Sequence, residues 1–368
     1  MATVKAYDTA AGRRYRVRYR TPQGKQTDKR GFTTKKAAEA WANNVEVDKL
    51  KGIYVSPSAG KTTVVEMYEQ WKPTKLNLAP SSLRRYELTW EGQIAPEWRD
   101  VKVADLTATS IEVWLAKLVA QPLSPTTVKK AHQLLSMLLD LAVRDYRIQS
   151  NPAKGLTLPR IEESEPTFLT SQQVIALSTY AKHGKLTVLI LGFCGLRWGE
   201  MAALKVHRWD EKRRRLRIVE QVTEIDGKLT WGPVKNHQAR SVSVPRFVAD
   251  EINLAIATKD PVDLVCPAAG GGVMRNKNAR RDWFDDAVTE SNVPKITPHD
   301  LRHSAASIGI AAGANLKGIQ TMLGHKTATM TLDLYGHLFD DHLDDVADKI
   351  DAAVLATSGV TRLDSKRA

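Results

Sequence analysis

Pro298-His299-Asp300-Leu301-Arg302-His303-Ser304 is the stretch whose reading decides the fold. Its two histidines stand four residues apart, the spacing that puts side chains on one face of a helix. Zinc is the first ligand such a pair suggests. A zincin helix carries glutamate directly after the first histidine, and here that place holds Asp300, one carbon shorter. No metal site is expected on these residues. That leaves Arg302, a permanently charged guanidinium, as the group to explain.

Three further segments bear on it. Gly195-Leu196-Arg197-Trp198-Gly199-Glu200 lies at the junction between an apolar helix and a second one. Pro233-Val234-Lys235-Asn236 lies in a strand-rich insert between Arg215 and Val244, whose Asp226-Gly227 pair marks a tight hairpin. Leu323-Gly324-His325 precedes Tyr335 by ten residues. Taken singly each is ordinary. An arginine in a Gly-flanked turn and a lysine in a hairpin are usually solvated, and one tyrosine among nine is usually a packing residue.

Taken together, and in this order, they resemble the catalytic signature of the tyrosine recombinase, or phage integrase, family. Arg197 fits the first arginine, with Glu200 its supporting acid. Lys235 fits the hairpin lysine, His299 and Arg302 the His-x-Leu-Arg pair, His325 the Leu-Gly-His histidine, and Tyr335 the nucleophile. The interval from His325 to Tyr335 looks about one residue longer than in many members, which leaves the local helix register open. The resemblance implies site-specific cleavage and rejoining of DNA through a covalent 3′-phosphotyrosine, by a homotetramer on the DNA. It also implies possible help from a host integration factor and an excisionase.

The chemistry agrees with these residue types. A phosphodiester is anionic, and more charge spreads over its non-bridging oxygens in the transition state. Arg197 and Arg302 can clamp those oxygens with guanidinium forks, and His325 can donate a further hydrogen bond. Such a cluster stands in for a metal ion, so no cofactor is expected. Phenolate at pH 7 costs roughly 4 kcal/mol from a reference pKa of about 10, and His299 is the candidate base that offsets it. Lys235 is the candidate acid for the departing 5′ oxygen. The phosphotyrosine keeps the bond energy, so rejoining needs no ATP.

Charge extends the reading to the first residues. The chain of 368 residues has a formal net charge of +13. Residues 1–60 hold 13 Lys/Arg against 5 Asp/Glu, a net of +8 in the first sixth of the length. That concentration suggests a dedicated anion-binding module. Arg14-Tyr15-Arg16-Val17-Arg18-Tyr19-Arg20 alternates with period two, placing Tyr15, Val17 and Tyr19 on one face of a strand. Arg14, Arg16, Arg18 and Arg20 fall on the other, as DNA-binding candidates; the bland reading is a solvated edge strand. Thr34 caps an expected helix from Lys35 to about Leu50, buried through Ala38, Trp41, Ala42 and Val45.

The expected architecture is multidomain α+β. An N-terminal sheet-plus-helix DNA-binding domain spans 1–60, with a linker over Lys51 to Thr62. A helical core-binding domain spans 61–160, including a helix capped by Ser124 with Pro125 at its first position. Glu162 to Pro166 reads as a second linker. A mixed α/β catalytic domain with a C-terminal tail spans 165–368. After the nucleophile, Leu343, Val346, Ile350 and Val354 form an apolar stripe. It serves either the chain's own catalytic domain or a neighbouring protomer.

Two DNA-binding modules make the chain resemble the bivalent integrases of temperate phages, which take arm and core attachment sites in double-stranded DNA. Its tryptophan, alanine and arginine usage looks like that of phages of actinobacteria such as mycobacteriophages. Cys194 and Cys266 lie in apolar contexts and make no disulfide framework. The N-terminus lacks a signal-peptide core, and the longest apolar run, Leu186 to Leu196, is too short for a bilayer. A cytoplasmic protein without a membrane partner is expected. Two rivals stay open: a type IB topoisomerase-like strand transferase and a DNA-binding regulator that does not cleave.

Overall fold

The computed structural model describes residues 2–21, 24–50, 54–55, 59–160, 167–234, 239–338, 348 and 350–354. They fall into two units, 1–163 and 164–368.

The first unit holds two separate cores. Strands β1 (Thr3–Thr9), β2 (Gly12–Arg20) and β3 (Gln26–Phe32) form an antiparallel sheet with β2 in the centre. Helix α1 (Lys35–Leu50) covers one face. Its first turn is capped where the Ala37 amide donates to the Thr34 hydroxyl. Val17 and Tyr19 meet Ala38, Ala42 and Val45 in the core, as the alternation in β2 requires. Because β2 has a strand on either side, its arginines are not the charged rim of an edge strand. Part of the stretch expected to be a linker is structural. Tyr54 is buried in this core, where its hydroxyl lies 2.7 Å from that of Tyr19, and Ala59–Lys61 makes a 3-10 turn. An aromatic ring among Gly, Ser and Pro residues is what turns a spacer into a strap.

The second core is helical. It is built from α2 (Val64–Trp71), α3 (Pro80–Thr89), α4 (Ala95–Trp98), α5 (Ala108–Val119) and α6 (Pro125–Arg144). A π turn at Trp90–Ile94 joins α3 to α4. Ser124 caps α6 by accepting from the Thr127 amide, with Pro125 first in the helix, and Val128, Ala131, Leu135, Leu138 and Ala142 are buried.

The second unit centres on α8 (Lys185–Cys194), which follows α7 (Ser171–Tyr180) and is buried along nearly its whole length. The short α9 (Trp198–Ala202) leads to β4 (Trp209–Asp210), β5 (Arg215–Ile218), β6 (Glu220–Ile225), β7 (Lys228–Pro233) and β8 (Arg240–Ser243). β4, β5 and β8 pair in that order, while β6 and β7 make a separate hairpin. The hairpin turns at Asp226 and Gly227, with φ of 48° and 76°, the positive pair that a tight two-residue turn demands. There follow α10 (Arg246–Ile256), α11 (Asn276–Ala279), α12 (Asp285–Glu290), α13 (Pro298–Ala311), α14 (Leu316–Leu323) and α15 (Thr329–Tyr335). α13 packs on α8, and α14 on α13 and β8. Ala306, Ile310, Ile319, Leu323 and Tyr335 form a small core of their own at this end.

Several sequence expectations lie outside the described residues: Lys235, the linker Glu162 to Pro166, and the stripe positions Leu343 and Val346. The other two stripe residues, Ile350 and Val354, are exposed. Among the described residues no helix is long and apolar enough to cross a membrane.

Candidate active site

Two left-handed glycines set the backbone of the site. Gly195 ends α8 with φ of 65°, and a Cβ there would sit 2.9 Å from Leu323 Cδ2. Gly324 ends α14 with the same φ, and its Cβ would sit 2.9 Å from the Arg240 side chain. Only glycine takes both the dihedral and the close approach without strain. The two turns deliver Arg197 and His325 to the same region.

Glu200 organises the arginines. It is 1% exposed. Its carboxylate accepts from the Arg197 backbone amide and Nη1, both at 2.9 Å. From the other side Arg240 donates through Nη1 at 2.9 Å and Nη2 at 2.6 Å, a bidentate fork. Burial alone would raise the Glu200 carboxyl, but Arg240 and Arg197 outweigh it and draw it down to about 2. Arg240 also donates from Nε to the Met322 carbonyl at 3.0 Å, tying β8 to the end of α14. Arg197 keeps part of its side chain open to solvent, whereas Arg240 is almost closed off.

Arg302 is buried in α13. It donates from Nη1 to the Gly195 carbonyl at 2.5 Å and from Nη2 to the Leu323 carbonyl at 2.6 Å. One guanidinium thus satisfies the open ends of α8 and α14 and spans the two turns. Burial, reinforced by Arg197, pulls Arg302 down to about 9, with Glu200 opposing. Three guanidiniums face one carboxylate here, a net charge of +2.

The start of α13 explains the motif around Arg302. The Asp300 carboxylate accepts from the Thr297 amide at 2.7 Å and the Thr297 hydroxyl at 2.8 Å. Asp300 is therefore a helix cap. Among the described residues no group of three or more His, Cys, Asp or Glu side chains could hold a metal ion.

Tyr335 closes α15 with 1% of its surface exposed. Its ring packs at 6.2 Å from that of Phe168, and its hydroxyl lies 2.7 Å from His303 Nδ1. Sequence reasoning named His299 as the base and considered His303 only as its zinc partner. The imidazole at the phenol is His303, and His299 stands edge-on to it, centroids 5.0 Å apart. Burial pushes the phenol up to about 12, with Arg302 pulling the other way. His303 is lowered by burial, with His299 and Arg302 adding and Asp300 opposing. His325 Nδ1 lies 3.0 Å from the Thr331 hydroxyl. Burial, then Arg302 and Arg197, take His325 down to about 4, so it is neutral at physiological pH.

The site thus gathers Arg197, Glu200, Arg302, His325 and Tyr335 from segments far apart in sequence, with His299 beside them. Arg240 and His303 join them, and both were missed. Arg240 had a signal: period two puts it on the same face as the buried Val242 and Val244. A cation on an inward face needs a buried anion.

Residues 167–342 match the model of the phage integrase family, and residues 7–49 match that of an arm DNA-binding domain. The chain thus carries a phage integrase family domain, with an arm DNA-binding domain ahead of it. It is 26% identical to an integrase of Mycobacterium phage FRAT1 over 308 residues, covering 80% of this chain and 88% of that protein. A tyrosine recombinase XerC of Mycobacterium sp. strain KMS is 27% identical over 64% of this chain and 80% of its own length. The fold is shared with lambda integrase in the crystal structure of its tetramer on a Holliday junction. That likeness has a TM-score of 0.59 at 16% identity, over 88% of this chain and 96% of that one. At such identities, the roles of single residues in this chain rest on its own geometry.

Proposed function

We propose that this protein is a phage-type integrase that recombines double-stranded DNA with Tyr335 as nucleophile and Arg197, Arg302 and His325 as the cradle of the scissile phosphate. The observation that carries the reading is the excess of positive charge around the tyrosine: three arginines held rigid by one buried carboxylate and by backbone carbonyls. Such a site is short of an anion. A phosphodiester entering it restores the charge balance, and the pentavalent transition state, with more charge on its oxygens, restores it further. The Glu200 and Arg240 contacts fix the guanidiniums before DNA arrives, so little reorganisation remains for the chemical step.

Attack by Tyr335 Oη on phosphorus expels the 5′ oxygen and leaves a 3′-phosphotyrosine. Lys235 gives the leaving oxygen its proton. Attack on that phosphotyrosine by the 5′ hydroxyl of a partner strand then exchanges strands. His299, on the same helix as Arg302, supplies a second imidazole to the site.

The domain roles follow. Residues 1–60 take arm-type sites through the face of β2 that bears Arg14, Arg16, Arg18 and Arg20. Residues 61–160 grip the core site, and residues 165–368 carry catalysis. The working form is a homotetramer on DNA in the cytoplasm of a bacterial host, with a host integration factor and an excisionase as accessory partners. The tetramer of lambda integrase on its junction supports that assembly.

The test is covalent trapping of the full chain on a nicked duplex that bears the crossover sequence recovered from the DNA flanking the gene. Wild type forms an adduct, and Tyr335→Phe binds the same duplex without forming one. An adduct with the Phe variant overturns the nucleophile. Relaxation of a supercoiled plasmid without joining of paired sites indicates a topoisomerase instead. A 5′-phosphorothiolate substrate, whose leaving group needs no proton, restores cleavage by Lys235→Ala if that lysine is the acid.

A further inference from the structure

We propose that His303 is the general base of the reaction, taking the phenol proton from Tyr335 and returning it when the phosphotyrosine is resolved. This rests on Tyr335 being the nucleophile. His303 Nδ1 lies 2.7 Å from Tyr335 Oη, hydrogen-bond distance to a reacting atom. The two side chains come from α13 and α15, elements each fixed by other contacts. α13 is pinned by Arg302 to Gly195 and Leu323, and by Ser304, whose hydroxyl accepts from the Leu169 amide at 2.9 Å. The phenol ring of α15 is fixed in its own small core. Neither partner has to travel to meet the other.

Burial and the charges around the pair keep the imidazole in its proton-accepting form. Arg302, the residue before His303, lowers the phenol and also lowers the imidazole. His299 adds to the effect on the imidazole, and Asp300 opposes it. His303 is therefore neutral before DNA binds, with a lone pair free for the phenol proton. The incoming phosphodiester then adds negative charge and favours the imidazolium that forms.

The step balances. The O–H bond of Tyr335 breaks, and its proton passes to His303 Nδ1. The Oη electron pair forms the bond to phosphorus. The bond from phosphorus to the 5′ oxygen breaks with its electrons on oxygen, which takes a proton from the acid. In rejoining, the 5′ hydroxyl attacks phosphorus and gives its proton back to the acid, the bond from phosphorus to Tyr335 Oη breaks, and the His303 imidazolium reprotonates the phenolate.

His303 also packs beside Tyr335, so the test must separate holding the hydroxyl from taking its proton. An asparagine side chain places an amide oxygen near the position of Nδ1, where it accepts the phenol hydrogen bond but cannot take the proton. Single-turnover adduct formation on the nicked duplex is measured for His303→Asn and His303→Ala, with duplex affinity measured alongside. Loss of a general base costs on the order of 100- to 10,000-fold. Both variants are expected to bind DNA as wild type does and to fall by at least about 100-fold in rate. Wild-type speed in His303→Asn overturns the proposal and leaves His303 a positioning residue.

A second arm replaces Tyr335 by 2,3,5-trifluorotyrosine, a more acidic phenol that needs little help to ionise. It is expected to restore most of the rate to His303→Asn while changing the otherwise wild-type chain little. No restoration overturns the base. Should His303→Ala misfold, the Asn variant and the fluorotyrosine arm decide alone. Absence of any adduct with wild type defeats the nucleophile reading itself, a separate outcome.

Discussion

Thr331 and Tyr335 stand one helical turn apart on the buried face of α15, and each holds a different histidine of the site. The Thr331 hydroxyl lies 3.0 Å from His325 Nδ1, and the Tyr335 hydroxyl 2.7 Å from His303 Nδ1. Both residues are closed to solvent. The helix that carries Tyr335, the proposed nucleophile, therefore also orients His325, the imidazole proposed to meet the phosphate. Thr331→Val keeps the shape and removes the hydroxyl. It is expected to slow covalent adduct formation by less than the roughly 100- to 1,000-fold that loss of an oxyanion donor itself costs. Adduct formation at the wild-type rate, measured in a single turnover, would mean that the ring needs no support from α15.

Arg240 is expected to matter as much for folding as for chemistry. Arg240→Ala leaves the Glu200 carboxylate buried with Arg197 as its one remaining arginine partner, and leaves the Met322 carbonyl without its donor. Breaking a buried pair in this way costs about 3–5 kcal/mol. Denaturant unfolding of the full chain should show a lower midpoint for the second unit. Arg240→Lys should recover little, because an ammonium cannot reproduce a two-point fork. A lysine variant as stable as wild type would show that charge alone suffices.

How much of this was legible in the sequence follows from the physics of each feature. The sheet and α1 were readable because alternation in β2 and spacing in α1 are local patterns, and Val17, Tyr19, Ala38 and Ala42 obey them. The roles proposed for Arg197, Arg302, His325 and Tyr335 rest on their order as a set, since nothing local marks any of them. Two features stayed hidden because they depend on which segments meet in space. His303 meets Tyr335 across 32 residues, and Arg240 meets Glu200 across 40. The capping role of Asp300 was within reach: Thr297 followed three residues later by an acid is a helix-start signal.

Acid should loosen the site late. The Glu200 carboxyl sits at about 2 in the fold against an ordinary value of 4.5. A depressed carboxyl contributes stability that is fully present above its unfolded value and is lost as pH falls through the folded one. The Glu200 contribution is thus complete at neutral pH, begins to fade below about 4.5 and is gone near 2. Glu200→Gln should lower stability at pH 7 and flatten the fall between those values, read from unfolding midpoints across pH. An unchanged acid profile in the Gln variant would place the acid sensitivity elsewhere.

Gly195→Ala tests the turn that joins α8 to Arg197. The substitution forces a side chain into φ of 65° and against Leu323. The dihedral alone costs about 1–2 kcal/mol, and the clash with Leu323 adds to it. Because Arg302 grips the Gly195 carbonyl, any shift there also moves the second arginine. Stability and adduct formation should fall together. A variant that loses stability but cleaves at full rate would mean that Arg302 holds its place through Leu323 alone.

The arginines of β2 make a different kind of prediction, because binding to phosphate shows itself through salt. Arg14, Arg16, Arg18 and Arg20 alternate with residues that pack on α1, so all four leave the sheet on the other face. They differ in freedom. Arg16 lies 3.9 Å from Asp28, and Arg20 donates to the Gly24 carbonyl at 3.3 Å. Replacing Arg14 and Arg18 by alanine should weaken arm-site binding in the full chain and reduce its salt dependence. Each phosphate that no longer has an arginine to neutralise it lowers the slope of log affinity against log salt by about 0.9. Core-site cleavage should be untouched, since the arginines proposed to hold the scissile phosphate lie in the other unit. A double variant that binds arm DNA with an unchanged salt slope would move the DNA to a different face of the N-terminal sheet.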